Sequence, residues 1–252
     1  MDQNKGLKKL ITLTAIFLVV DLVVEQIGVY QLLNWAYDQF HMTQFQANFS
    51  FKLIELIVVL ILNALITKQK FYMKPSFSWV QAAYWVFIVA VMLPFLSADN
   101  VVEGLLTGAM GGFPEEFLAR GVLLGLFLTY LLKEDYSRKT LVKGIFYSNL
   151  VFGLMHMTNL SHQPVGYVIV QCVLAFVAGL AYTAIYVQTG TIFSAVAMHF
   201  AKDFMLTATS GSQMAMVATA AFSYFKILLV IVAFLYWKNH EPALSKKIRG
   251  AK

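Results

Sequence analysis

Apolar stretches long enough to cross a lipid bilayer recur along the whole length of this 252-residue chain. A helix needs about 17 to 25 residues to cross roughly 30 Å of hydrocarbon. Eight segments meet this requirement, at residues 10–30, 51–67, 77–96, 114–132, 141–157, 164–187, 191–207 and 214–237. Hydrophobic residues make up 59% of the chain and charged residues 13%, which is not the composition of a soluble domain. The sequence therefore predicts an all-α, polytopic membrane protein with eight transmembrane helices.

No internal repeat, low-complexity tract or linker divides the chain. We therefore predict one integral membrane domain over residues 1–252, with a motif-bearing core at about 101–207. The glycine-rich segment 101–112 fits three alternatives, namely an outer loop, a half-helix, or the first part of an extended fourth helix. Pro114 is well suited to the first position of a helix, whereas in an extended helix it would introduce a kink.

Lysine and arginine residues are distributed asymmetrically between the predicted loops. Of 19 basic residues, four lie within or at the ends of spans, namely Lys52, Arg120, Lys202 and Lys226. The other 15 fall on one side of the membrane, at Lys5, Lys8, Lys9, Lys68, Lys70, Lys74, Lys133, Arg138, Lys139, Lys143, Lys238, Lys246, Lys247, Arg249 and Lys252. The opposite loops, around 34–50, 97–100, 159–163 and 208–213, contain none. Because cytoplasmic loops retain positive charge, both termini are predicted to be cytoplasmic.

The net charge of +6 follows from these basic anchors. Such anchors favour contact with the anionic headgroups of a lipid bilayer. They therefore do not indicate a nucleic acid partner, and none is predicted.

Three short polar clusters interrupt the apolar segments, and ionisable groups at membrane depth mark function by default. In the first cluster, Glu116 and Arg120 are four residues apart with the acid first, which favours an ion pair on one helix. Arg120 would hold Glu116 ionised. Glu115 then lacks a partner on its own helix, and we expect it to point into a cavity as the reactive acid.

The other two clusters supply histidines. His199 and Asp203 share one face of the seventh span, where the carboxylate can orient or charge the imidazole. His156 lies near the outer end of the fifth span, with Phe152 one turn before it on the same face. Under the predicted topology, Glu115 and both histidines fall in the outer half of the bilayer. A shared depth is what a single site would require.

These motifs resemble those of the CPBP or Abi intramembrane proteases, a family that includes the type II CAAX prenyl endopeptidases and many bacterial bacteriocin-immunity proteins. The family pattern is EExxxR, then FxxxH, then HxxxN or HxxxD, on separate helices of an eight-helix core. The CAAX endopeptidases typically carry asparagine at the last motif position. This chain has the three motifs in the same order, as Glu115-Glu116 with Arg120, Phe152 with His156, and His199 with Asp203.

The resemblance implies hydrolysis of a membrane-associated peptide or protein, in bacteriocin self-immunity or peptide processing at a bacterial cell membrane. Glu115 would be the general base, and His156 would help to position the attacking water. His199 would stabilise the oxyanion, and Asp203 would orient His199. The candidate site therefore consists of Glu115, Glu116, Arg120, His156, His199 and Asp203.

The resemblance to the CAAX branch also favours a glutamate-dependent mechanism without a cofactor, and the chain contains no HExxH motif. Zinc is the alternative, because two histidines and a carboxylate can bind this metal and leave a position for water. The zinc ligands would then be Glu115, His156, His199 and Asp203.

Two other classes of function also use intramembrane polar residues. A non-catalytic immunity protein would bind a membrane-active peptide or its receptor, although binding alone does not require Glu115, His156 and His199 together. A transporter or channel would use such groups as an ion site or relay, but no inverted repeat supports this class. The sequence does not define an oligomeric state.

Overall fold

The computed structural model describes residues 3–74, 79–132, 136–210 and 213–251, and all regular structure in these residues is helical. The all-α prediction is therefore confirmed for them. The predicted start of the third span at Phe77 and the basic residues Lys133 and Lys252 lie outside the described residues. The α-helices are α1 (Gln3–Val23), α2 (Tyr30–Phe40), α3 (Gln44–Leu62), α4 (Trp79–Met92), α5 (Val101–Glu116), α6 (Gly125–Leu131), α7 (Arg138–Met155), α8 (Val165–Thr189), α9 (Ile192–Ala208), α10 (Gln213–Tyr236) and α11 (Ala243–Gly250).

Short π-helical or 3-10 segments continue several of these helices. The π-helical segments are Val24–Val29, Asn63–Thr67 and Phe117–Leu124, and the 3-10 segments are Leu93–Phe95 and His156–Ser161. The first π-helical segment joins α1 to α2, and the third joins α5 to α6.

Within the described residues, four helical segments are long and apolar enough to cross a membrane, namely Lys5–Phe40, Gln44–Thr67, Val165–Thr189 and Thr219–Tyr236. Gln81–Phe95 is also apolar but shorter. Large apolar side chains such as Trp35, Trp79 and Leu174 are exposed, and lipid is a suitable environment for a surface of this kind. The helices that carry the polar motifs are shorter or more polar than these four segments. The eight-span arrangement therefore stays a prediction.

The predicted outer loop around residues 34–50 is wrong, because the helices on both sides extend into it. α2 continues to Phe40, and His41 then takes a left-handed conformation with φ 48°. Thr43 caps α3: its hydroxyl accepts from the backbone N–H of Gln46, and the Gln46 side chain accepts from the backbone N–H of Thr43. This capping box is a local signal for a helix start, and hydropathy alone does not contain it.

The glycine-rich segment 101–112 forms the first part of an extended helix, which decides between the three alternatives. α5 begins at Val101 and carries Pro114 in its interior rather than at its first position. A proline inside a helix removes one backbone hydrogen bond. The π-helical segment begins three residues later, where the N–H of Phe117 faces the carbonyl oxygens of both Phe113 and Pro114.

The glycines of α5 allow α5 and α9 to pack closely. A Cβ atom added to Gly108 would lie 2.8 Å from the backbone oxygen of Phe200, and one added to Gly112 would lie 3.0 Å from that of Val196. Small residues four apart let two helix backbones approach in this way, particularly in membranes. Close packing against α9, on the face that carries these glycines, supports a helix over residues 101–112.

One end of the bundle gathers basic residues from several segments. The Nζ atom of Lys247 donates to the backbone oxygens of Gly190 (2.7 Å) and Lys74 (3.0 Å), and that of Lys9 lies 6.0 Å from the ring centroid of Tyr130. The helix α11, which the hydropathy pattern does not predict, covers this end by packing on α6 and α8. Segments predicted to share one side of the membrane therefore lie together, and the cytoplasmic assignment of that side stays a prediction.

Candidate active site

A buried ion pair joins two residues of the first motif. Arg120 Nε lies 3.1 Å from Glu116 Oε2, and neither side chain is exposed. The same guanidinium reaches two other helices, since Nη2 donates to Asn149 Oδ1 of α7 (3.1 Å) and Nε donates to Thr183 Oγ1 of α8 (3.3 Å). A buried charge is tolerated only with such partners. Arg120 therefore ties the motif-bearing helix to α7 and α8.

Aromatic rings complete the surroundings of Arg120. Its Cζ atom lies 5.1 Å from the ring centroid of Phe152 and 5.5 Å from that of Tyr182, within cation–π distance of both. α8 approaches closely at Gly179, where an added Cβ would lie 2.7 Å from Arg120 Nη2 and 2.3 Å from Asn149 Oδ1. The phenylalanine of the second motif thus contacts the arginine of the first.

His199 lies among three carboxylates at the interface of α5 and α9. Its Nδ1 atom is 2.8 Å from Glu116 Oε1, and its Nε2 atom is 3.2 Å from Asp203 Oδ2 and 4.0 Å from Glu115 Oε2. The imidazole stacks on the ring of Tyr182 at a centroid distance of 4.8 Å. The contact with Asp203 follows from their spacing on one helix, whereas the contact with Glu116 comes from a different helix and was not predicted.

Asp203 reaches His199 through a gap that a glycine leaves in α5. A Cβ atom added to Gly111 would lie 2.1 Å from Asp203 Oδ2 and 3.3 Å from His199 Nε2. The second carboxylate oxygen of Asp203 lies 2.5 Å from Lys202 Nζ. Gly111 is therefore part of the site, because a larger side chain would displace the carboxylate that holds the imidazole.

Glu115 forms an ion pair with a lysine from another helix. Lys52 Nζ, on α3, lies 3.0 Å from Glu115 Oε1 and 2.8 Å from Glu55 Oε2. The Glu115 side chain is 23% exposed and that of Lys52 is 29% exposed, in contrast to the fully buried Glu116. Glu115 has no partner on its own helix, as expected, but its contact with Lys52 was not predicted from the sequence. The sequence feature that could have identified Lys52 is a lysine inside an apolar span, because such a position is energetically costly.

A cavity lies beside this ion pair. It has a volume of about 130 Å³, and its lining includes Lys52, Phe49 and Pro114, the neighbour of Glu115. Phe49 also lines a wider cleft of about 600 Å³ between α3, α5 and the turn that follows α2. Glu115 therefore follows one lining residue in sequence and forms an ion pair with another, whereas Glu116 is fully buried.

His156 lies at the edge of the cluster. Its Nδ1 atom is 3.1 Å from the backbone oxygen of Phe152, and its ring meets the Phe152 ring edge to face. In the described part of the chain, no hydrogen bond or ion pair within 4.0 Å joins His156 to Glu115 or Glu55. The structure thus brings the other five predicted site residues into one chain of contacts and leaves His156 beside it.

The arrangement of these donors is that of an ion-pair network. Among the described residues, no group of three or more His, Cys, Asp or Glu side chains is placed to hold a metal ion. Of the four alternative zinc ligands, Glu115 faces the ammonium of Lys52, and both ring nitrogens of His199 face carboxylates. Glu115 and His199 are therefore already engaged with charged groups of this chain.

The segment that contains all six predicted site residues matches a known protein family. Residues 97–205 match the family model of the Rce1-like type II CAAX prenyl endopeptidases. This match is consistent with the CPBP-type intramembrane protease indicated by the motifs, and it supports an endopeptidase activity. Together with the apolar helices, it also supports an integral membrane protein. No match to a curated protein or to a solved structure was found.

Proposed function

We propose that this chain, an integral membrane protein with an Rce1-like endopeptidase domain at residues 97–205, hydrolyses a peptide bond of a membrane-associated peptide or protein. The observation that carries the proposal is the approach of Glu115 to His199, with 4.0 Å between Oε2 and Nε2. The ion-pair partner of Glu115, Lys52, lines a cavity. A partly exposed carboxylate supplies a base, and a neighbouring imidazole supplies a hydrogen-bond donor. Peptide hydrolysis needs both.

Glu115 acts as the general base. It accepts a proton from a water molecule in the cavity, and the water oxygen forms a bond to the carbonyl carbon of the substrate. The electron pair of the carbonyl bond moves to its oxygen and produces an oxyanion. When the C–N bond breaks, the leaving nitrogen takes the proton back from Glu115. His156, at the edge of the site, helps to position the water.

The buried residues support this chemistry through His199. Asp203 and Glu116 hold its two ring nitrogens, so that the imidazole is oriented and charged for stabilising the oxyanion. Arg120 holds Glu116 in turn. Because the side chains of Glu116 and Arg120 are fully buried, we assign them positioning roles rather than contact with substrate.

We propose that the reaction is metal-free, with zinc as the alternative cofactor. Detergent-purified protein is expected to cleave members of a fluorogenic peptide library at an unchanged rate after treatment with a chelator. The same treatment should inactivate a zinc protease assayed in parallel. If chelation abolishes cleavage and zinc restores it, the enzyme is a metalloprotease. If no peptide is cleaved, the proposed endopeptidase activity is wrong.

We also propose that eight helices span the membrane with both termini in the cytoplasm, on the strength of the 15 basic residues that share one side. The native cysteine, Cys172, would be replaced by serine, and Asn159→Cys or Lys246→Cys introduced into that background. We expect a membrane-impermeant maleimide to label the Asn159→Cys protein in intact cells. The Lys246→Cys protein should react only after permeabilisation. The reverse pattern would invert the topology.

The proposed physiological role is bacteriocin self-immunity or peptide processing in a bacterial cell membrane, supported by the resemblance to bacterial CPBP proteins. A non-catalytic immunity protein is the alternative. If cells producing the Glu115→Gln variant stayed immune, the binding alternative would be favoured over proteolysis.

A further inference from the structure

Most positive groups of the candidate site are already engaged with its own acids. Arg120 is fully buried on Glu116. Both ring nitrogens of His199 face carboxylates, and Lys202 lies 2.5 Å from Asp203. Asp203 itself, as a carboxylate, only accepts hydrogen bonds. An oxyanion needs a hydrogen-bond donor that can face the substrate. His199 Nε2 can serve only in competition with Asp203, which lies 3.2 Å from the same atom.

Lys52 is the cation on the opposite side of Glu115. Its ammonium lies 3.0 Å from Glu115 Oε1, its side chain is 29% exposed, and it lines the cavity of about 130 Å³ together with Pro114. Glu55 lies 2.8 Å from the same ammonium and serves as a second counter-ion. Placing a lysine in an apolar span costs free energy. The contact of Lys52 with the proposed base gives a functional reason for a lysine at this position.

We propose that Lys52 is a further catalytic residue, which orients Glu115 as a carboxylate and then donates a hydrogen bond to the substrate oxyanion. The proposal rests on the proposed endopeptidase function. Before the attack, the ammonium is balanced by Glu115 and Glu55. Once Glu115 has accepted the proton from water, its negative charge is gone and the new negative charge is on the former carbonyl oxygen.

This transfer of charge gives Lys52 a new anionic partner at the moment when it loses the old one. Glu55 remains beside the ammonium, 2.8 Å away, as its second counter-ion, and the step requires no proton to leave Lys52. The hydrogen bond to the oxyanion exists only near the transition state. An interaction of this kind raises kcat and leaves substrate binding almost unchanged.

The test compares Lys52→Met and Lys52→Arg with the wild type on a cleaved fluorogenic peptide. Lys52→Met is expected to lower kcat by about a hundredfold to a thousandfold, the usual cost of losing one oxyanion donor. KM should change little, because ground-state binding is not affected. Lys52→Arg keeps a cation with several donors and should recover most of the lost rate. Lys9→Met removes an exposed lysine beside Tyr130 and should behave like the wild type.

Wild-type kcat in a folded Lys52→Met protein would overturn the proposal and leave Glu115 as the base. If Lys52→Met does not fold, Lys52→Gln, which is also neutral, is measured in its place with the same expectation. If the wild type cleaves no peptide, the proposed function fails. Infrared spectroscopy then tests separately whether Lys52 and Glu115 form an ion pair. The carboxylate band that disappears in Glu115→Gln should then shift in Lys52→Met, and an unshifted band would contradict the role of Lys52.

Discussion

Replacing Glu115 with glutamine is expected to lower kcat/KM for peptide cleavage by about 10²-fold to 10⁴-fold, the usual contribution of a general base. Glutamine has nearly the shape of glutamate and can still accept a hydrogen bond from Lys52, but it cannot accept the proton of the attacking water. The loss should therefore arise in the chemical step rather than in folding. Initial rates on a cleaved peptide measure the effect, and thermal unfolding in detergent tests whether the variant is folded.

Glu103→Gln is the matched control for this experiment. Glu103 lies in the first turn of the same helix, and its side chain is exposed. The same chemical change at this position should leave the rate at the wild-type level. A folded Glu115→Gln variant with wild-type activity would show that another group removes the proton, and the mechanism would have to be reassigned.

The sequence predicts those parts of the site that depend on the geometry of one helix. The ion pair of Glu116 with Arg120 and the contact of His199 with Asp203 both follow from a spacing of four residues, and both are present. A turn of helix brings such residues together whatever surrounds them. The match of residues 97–205 to the Rce1-like family agrees with the order of the three motifs.

Contacts between helices could not be predicted in this way. Lys52 and Glu115 are 63 positions apart, and His199 and Glu116 are 83 apart. Spacing and hydropathy define the faces of each helix but do not define which faces meet. The ring of Tyr182, between Arg120 and His199, is inconspicuous in an apolar segment for the same reason.

Some features of the fold were encoded locally but in signals other than hydropathy. Gly104, Gly108 and Gly112 repeat at intervals of four residues, a pattern typical of closely packed membrane helices. This pattern favours the extended helix over the loop and half-helix alternatives. The start of α3 is likewise encoded by the capping box of Thr43 and Gln46. Hydropathy averaged over a window does not detect either signal, because each depends on the identity of a few single residues.

Replacing Arg120 with methionine is expected to destabilise the protein by about 3–5 kcal/mol, the typical cost of breaking a buried ion pair from one side. Methionine fills part of the space but removes the arginine partner of the fully buried Glu116 carboxylate, which keeps only its contact with the His199 ring. It also removes the donors to Asn149 and Thr183. The free energy of unfolding, measured by denaturant titration in mixed micelles, should show the loss.

Two further variants distinguish the loss of charge pairing from a general effect of truncating an arginine. Arg138→Met removes an exposed arginine that donates to the backbone oxygen of Phe234, and it should change stability by no more than about 0.5 kcal/mol. The double variant Arg120→Met with Glu116→Gln removes both charges and should recover part of the stability, because a neutral amide is less costly to bury than a carboxylate that has lost its arginine partner. If the double variant were as unstable as Arg120→Met, packing and the bonds to α7 and α8 would account for the effect, and the charge of Glu116 would not.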